Sequence, residues 1–191
     1  MDSFAFSLLF PQKNMQKIQL LDKEFEPFIA ESEIQAAVSR VANQINVDFA
    51  GKSPLFLIVL NGAFMFAADM MKQLTITCEL SFVKIASYHG AEQKDLQELI
   101  GLNEDLTGRE VIIVEDIVDS GNTVHRIFEM LKEKNAAKVY VASMFFKPGA
   151  YKYQHPIQYT GLNIANDFIV GYGLDYNGVG RNLNAIYVYK P

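Results

Sequence analysis

Val111-Ile112-Ile113-Val114-Glu115-Asp116-Ile117-Val118-Asp119-Ser120-Gly121-Asn122-Thr123 is the stretch that decides the fold. Its first four residues form an apolar run, the pattern of a strand covered on both faces in a parallel sheet. Two carboxylates follow directly, then a turn in which Gly121 lies between Ser120 and Thr123. From Thr123 to Lys134 the pattern becomes helical, with Val124, Ile127, Phe128 and Leu131 on one side. A helix N-terminus presents free N–H groups and a partial positive charge, so the turn reads as a phosphate cradle. Glu115 and Asp116 are out of place beside phosphate unless the ligand also carries hydroxyl groups and a metal ion. A sugar phosphate meets both conditions. The alternative reading is an ordinary strand–helix turn with Asp119 or Ser120 as N-cap. The string is neither a Walker loop nor a dinucleotide fingerprint.

The same alternation recurs on either side. Leu55 to Leu60 and Lys138 to Phe146 are apolar runs of strand length, and Ala63 to Leu74 reads as a helix. A helix is expected from about Ser32, with Ser32 and Gln35 at capping-box spacing and Ile34, Val38, Val41 and Ile45 on one face. Ile76 to Tyr88 is rich in strand formers, and short strand-like pieces occur at 161–164, 168–170 and 185–189. Residues 1–30 carry no pattern of a regular element. Asp116 to Asn122 is expected to be a loop. The polar stretch from His89 to Asp105 is long for a connection without structure and suits a lid. The pattern implies an α/β fold with a mainly parallel twisted sheet flanked by helices. Ligands of such sheets lie beyond the carboxyl ends of the strands, which puts Asn61-Gly62, the segment 115–123 and Lys147 at one rim.

Half of the 191 residues are hydrophobic, enough for a sizeable core, and the formal net charge is −5. That charge argues against a nucleic-acid surface. No apolar run approaches the roughly 18 residues of a membrane span. The patch from Phe4 to Phe10 lacks the basic flank of a signal peptide and reads as a packing arm. The single cysteine, Cys78, has no partner for an internal disulfide. A reducing, cytoplasmic location is the default.

The string from Val114 to Thr123 resembles the phosphoribosyl pyrophosphate (PRPP) motif of type I phosphoribosyltransferases, in the form of the hypoxanthine-guanine branch and especially its bacterial members. The resemblance runs from about Leu55 to the C-terminus. Leu60-Asn61-Gly62 resembles the family's pyrophosphate loop, which usually contains a non-proline cis peptide. Ser87-Tyr88 resembles the Ser-Tyr pair of its mobile lid. Phe168 to Tyr176 resembles its purine-binding segment, and Arg181 falls where the family keeps a pyrophosphate-binding arginine.

The resemblance implies a role for each of these residues. Asp119 is the general base at purine N7. Glu115, Asp116, Asp119, Ser120, Gly121, Asn122 and Thr123 bind the ribose phosphate. Asn61, Gly62 and Arg181 bind pyrophosphate. Lys147 donates to the purine O6, Phe168 stacks on the base and Ile169 meets its edge through the backbone. Ser87 and Tyr88 belong to the lid, and Asp175, with Glu115 and Asp116, contacts Mg2+. It also implies one phosphoribosyltransferase domain over 1–191, with a core of about 32–150 and a hood from 1–31 and about 151–191. A homodimer or homotetramer is the implied assembly, and PRPP and a 6-oxopurine such as hypoxanthine or guanine are the implied substrates.

Asn61 and Asn122 depart from the Lys or Arg that many members carry there, and charge varies in the family at Asp167. His89, His125 and His155 lack metal-site spacing and read as structural or surface residues. Three rival readings differ in what they need. An RNA-binding regulator on the same fold needs a basic surface. A receiver domain gives 168–181 no task. An adenine-specific enzyme leaves Lys147 without an acceptor.

Overall fold

A strand whose alternate side chains enter two separate cores must be apolar throughout, and that accounts for the centre of this molecule. The computed structural model describes residues 15–87, 96–100 and 105–191. The elements in chain order are β1 (Ile18–Leu20), β2 (Lys23–Ile29), α1 (Glu31–Asp48), β3 (Leu55–Leu60), α2 (Phe64–Met71), β4 (Glu79–Ser87) and β5 (Leu96–Ile100). They continue with β6 (Glu110–Val118), α3 (Asn122–Glu133), β7 (Lys138–Phe146), β8 (Tyr159–Asn163), β9 (Ile169–Val170) and β10 (Ile186–Tyr189).

The large sheet has the order β5-β4-β3-β6-β7-β8. Its last five strands are parallel, and β5 runs antiparallel on the β4 edge. Phe56, Ile58, Ile112, Val114, Ala142 and Met144 belong to one core, together with the buried faces of α1 and α2. Leu55, Leu57, Val59, Val111, Ile113 and Val141 belong to the other, with α3. The alternation along β3 and β6 is the period-two pleat of a sheet covered on both sides, so the fold class read from the sequence holds.

Helix α1 buries Ile34, Ala37, Val38, Val41, Ala42 and Ile45, a stripe of helical spacing. It starts slightly earlier than expected. Ala30 is the N-cap, and the Glu33 carboxylate accepts its N–H at 3.3 Å. Glu31 and Glu33 lie in the first turn, where the helix dipole favours negative charge. Gln35 is therefore not part of a cap; it donates to Asp69 at 2.9 Å.

Three further expectations are corrected. First, β1 and β2 precede α1 and pair as a hairpin. Lys23, Glu24, Glu26 and Pro27 hide β2 in the sequence, and Pro27 fits because the ladder to β10 shifts register beside it, between Ile186 and Tyr187. Second, β6 continues to Val118, pairing Ile117 with Phe145 and Val118 with Phe146, so Asp116, Ile117 and Val118 are strand residues and not loop residues. Third, the stretch from His89 to Asp105 contains β5, paired with β4 from Lys84↔Ile100 to Ser87↔Leu96. Residues 89–95 and 101–104 of that stretch and the packing arm at 4–10 lie outside the described residues.

A small antiparallel sheet, β1-β2-β10-β9, joins the two ends of the chain. Within about 151–191, the stretch that the resemblance gives to the hood, Tyr159–Asn163 forms β8 of the large sheet. Tyr159 donates to Asp48 of α1 at 3.0 Å, and Arg40 donates to the Gly161 carbonyl.

Phe56 is fully buried, whereas Val47 on α1 is 75% exposed. Phe56→Ala is expected to cost about 3–5 kcal/mol in urea unfolding. Val47→Ala is expected to stay within about 0.5 kcal/mol. Equal costs would contradict the burial described for β3.

Candidate active site

The carboxyl ends of β3, β6 and β7 converge, because parallel strands in register end on one side. Beyond β3 the Leu60–Asn61 peptide is cis, as the resemblance implies. Gly62 then passes directly over Asp116: a Cβ on Gly62 would fall 1.4 Å from Asp116 Oδ2. On its other side Gly62 meets the turn after β9, where a Cβ on Gly173 would lie 1.9 Å from the Gly62 carbonyl oxygen. Only residues without side chains allow the two segments and the carboxylate to stack this closely.

Arg181 closes the stack. One guanidinium nitrogen donates to the Gly173 carbonyl at 2.7 Å, and another pairs with Asp175 at 2.5 Å. Asp175 also accepts the Gly178 N–H at 2.6 Å. The turn is anchored from below by Tyr172, which is buried and donates to Asp69 at 2.9 Å. Burial pushes the Asp69 carboxyl up, but hydrogen bonds from Gln35, Lys72 and Tyr172 together hold it below its usual value. No local pattern signals this anchor, because Tyr172 and Asp69 are distant in the chain.

Glu115 is 7% exposed, and its Oε2 has no hydrogen-bond partner. Burial, reinforced by the neighbouring Asp116, drives its pKa well above the ordinary carboxylate range. Burial pushes Asp116 up to about 6, opposed by the Ile117 N–H at 2.7 Å and by the Arg181 charge. An acid with a bare buried oxygen is adapted to a partner that arrives with the ligand, such as a hydroxyl donor or a cation. Among the described residues no group of three or more His, Cys, Asp or Glu side chains could hold a metal alone. Magnesium does not need one, since it takes one or two carboxylates and completes its shell with water and phosphate oxygens. The donor set fits that ion.

The turn beyond β6 leaves the start of α3 without a side-chain cap. Gly121 is the N-cap of α3 with φ 83, and no side chain caps the helix. This removes the alternative in which Asp119 or Ser120 serves only as a cap. The first backbone bond of the helix is His125 N–H to Gly121 C=O, so the amides of residues 122–124 stay available. Thr123 lies in that first turn. Beyond β7, Lys147 is 7% exposed and its Nζ lies 2.7 Å from Asp119 Oδ2. Its own N–H donates to Val118 C=O at 2.9 Å, which fixes the lysine beside the acid.

Ile164 N–H donates to Phe146 C=O at 2.9 Å, so the chain leaves β8 next to Lys147 on its way to Phe168. Phe168 is 45% exposed, with Tyr176 edge-on at 6.0 Å and Phe25 at 6.2 Å. An exposed ring braced by two others is a platform for a flat ligand. Ile169 is buried in β9, and Asp167 pairs with Lys190 at 3.4 Å. Ser87 ends β4 on the same side of the sheet. Tyr88 lies outside the described residues. Among the described residues no helix is long and apolar enough to cross a membrane.

Residues 30–177 match the family model described as the phosphoribosyl transferase domain. A hypoxanthine-guanine phosphoribosyltransferase of Streptococcus pneumoniae is 36% identical over 166 residues, covering 85% of this chain and 91% of the relative. Its counterpart in Streptococcus pyogenes is 33% identical, covering 90% and 97%. A crystal structure of a hypoxanthine phosphoribosyltransferase from Staphylococcus aureus superposes with a TM-score of 0.81 at 30% identity, covering 87% of this chain and 91% of that one. With the cis-peptide loop, the acid pair and the uncapped helix turn at one rim, the chain belongs to the type I phosphoribosyltransferase family, in its hypoxanthine-guanine branch.

Proposed function

We propose that this protein transfers the 5-phosphoribosyl group of PRPP to N9 of a 6-oxopurine, releasing pyrophosphate. The observation that carries this reading is the Lys147–Asp119 pair at 2.7 Å, beside the uncapped turn of α3. A 6-oxopurine carries an acceptor at O6 adjacent to N7. An ammonium and a carboxylate side by side offer O6 a donor and the N7 proton an acceptor. Adenine offers a second donor where Lys147 needs an acceptor.

The remaining residues divide the substrate between them. The amides of residues 121–123 and the hydroxyls of Ser120 and Thr123 receive the 5′-phosphate. Glu115 and Asp116 receive the ribose hydroxyls. Phe168 stacks on the base and Ile169 meets its edge through its backbone. The amides at Asn61-Gly62 and the guanidinium of Arg181 receive pyrophosphate. Asp175, Glu115 and Asp116 would hold Mg2+, which supplies charge neutralisation for the departing pyrophosphate. Asp175 and Arg181 neutralise each other without ligand; a magnesium–pyrophosphate ligand offers each a replacement partner.

The bond from C1′ to the pyrophosphate oxygen breaks as N9 attacks C1′. Asp119 takes the N7 proton, Arg181 stabilises the leaving group, and the segment around Ser87 and Tyr88 excludes water that would hydrolyse PRPP. The small sheet together with the segments around it forms the hood that carries Phe168 over the rim. The resemblance supports a homodimer or homotetramer, and sedimentation would count the subunits; the single cysteine, Cys78, suits a reducing, cytoplasmic location.

Chromatography of reactions with PRPP, Mg2+ and a purine panel tests the assignment. Hypoxanthine and guanine are expected to yield IMP and GMP. Turnover of adenine without hypoxanthine would contradict the 6-oxopurine reading. Asp119→Asn is expected to lower kcat about 10²- to 10⁴-fold with a much smaller change in PRPP affinity; retention of half the wild-type kcat, with chemistry rate-limiting, would remove Asp119 as the base. Lys147→Ala is expected to raise KM for hypoxanthine about 10- to 150-fold and to narrow the discrimination against adenine, while KM for PRPP moves little. A loss confined to PRPP would move Lys147 to the phosphate side of the site.

A further inference from the structure

An asparagine in a phosphate turn is ambiguous, since its amide can face an anion with an oxygen that repels or an NH2 that attracts. In this chain the choice is made from outside the turn. Tyr153 donates its hydroxyl to Asn122 Oδ1 at 2.9 Å. That occupies the amide oxygen and leaves Nδ2 as the free, donating end.

The residues just before Tyr153 hold the preceding part of the same turn. Lys152 N–H donates to Ser120 C=O at 3.2 Å. The Tyr151 ring fills the space over Gly121, where a Cβ would lie 2.3 Å from Tyr151 Cε2. Residues 151–153 therefore touch Ser120, Gly121 and Asn122 by a backbone bond, a ring and a hydroxyl.

The segment is itself fastened to α3. The Tyr153 ring stacks on His125 at 4.3 Å, and His155 stacks on Phe128 at 4.1 Å. His125 Nδ1 lies 3.0 Å from His155 Nε2, and Tyr151 donates to the His155 carbonyl at 2.8 Å. These contacts give His125 and His155, read from the sequence as structural or surface residues, a specific task.

We propose that Tyr153 is a positioning residue for the 5′-phosphate, acting through Asn122, and that residues 151–155 are the strap that holds the phosphate turn in its binding shape. The inference rests on the reading that the turn binds the 5′-phosphate. Asn122, which lacks the charge many relatives carry there, thereby becomes an oriented donor.

Steady-state kinetics of Tyr153→Phe, Asn122→Ala and the double variant test it, with thermal melting to establish that each folds. Tyr153→Phe keeps the ring stack and deletes the hydroxyl. It is expected to raise KM for PRPP roughly two- to tenfold, the effect of one neutral hydrogen bond, with kcat and KM for hypoxanthine within about twofold. Asn122→Ala is expected to raise KM for PRPP as well, and Tyr153→Phe should add nothing in that background. An unchanged KM for PRPP in Tyr153→Phe beside a raised one in Asn122→Ala would overturn the strap alone. So would equal increments in both backgrounds, which mark a role independent of Asn122. If Asn122→Ala and Thr123→Val both left KM for PRPP unchanged, the phosphate-turn reading would fall, and the inference with it.

Discussion

The burial of two adjacent carboxylates at the end of the central strand is the constraint on which the rest of the site depends. A buried polar atom without a partner costs about 1–3 kcal/mol, and more when it is charged, so the bare Glu115 Oε2 is not a feature that folding alone would retain. It is tolerated because β6 is paired on both sides, with β3 and β7, and its apolar part enters two cores. The strand is stable enough to carry an unsatisfied end. In the proposed function, a ligand with hydroxyl groups and a cation would remove the cost on binding, and part of the binding energy would come from that relief.

The same carboxylates organise the segments above them. Asp116 lies against Gly62, Gly62 lies against Gly173, and Gly173 is bonded through its carbonyl to Arg181. The loop after β3, the acid pair of β6 and the turn after β9 are thus one packed column and not three independent segments. The Tyr172–Asp69–Gln35 hydrogen bonds tie that column to α2 and α1. Lys147 and Asp119 meet beside it, at the ends of neighbouring strands β6 and β7. Asp116, Asp119 and Lys147 each take their place from a strand end that parallel pairing determines.

This is why so much was legible in the sequence. Leu55–Leu60 and Lys138–Phe146 have the same bounds in the fold as in the sequence, because a strand buried on both faces announces itself by continuous apolarity. The positions of Gly62 and Lys147 followed from those strand ends. What was not legible depends on partners far along the chain. The hairpin β1–β2 has a mixed polar pattern and gains its strand character from β10. The end of β6 carries acids, so local pattern places a loop where pairing with β7 continues. Tyr153 meets Asn122 across 31 positions and Tyr172 meets Asp69 across 103; no local spacing encodes either contact.

Equilibrium unfolding of wild type and Asp116→Asn, with and without magnesium and PRPP, tests the constraint most directly. A carboxyl held at about 6 in the fold, above its unfolded value, lowers stability at neutral pH. That cost disappears as pH falls through 6 toward the unfolded value. Asp116→Asn is therefore expected to stabilise the unliganded protein at pH 7.5 by about 1–3 kcal/mol, with the gain shrinking at pH 5. PRPP with magnesium should protect wild type strongly and the variant weakly. A variant no more stable than wild type at pH 7.5, yet equally protected by PRPP, would contradict the claim that the buried acids are held in wait for the ligand.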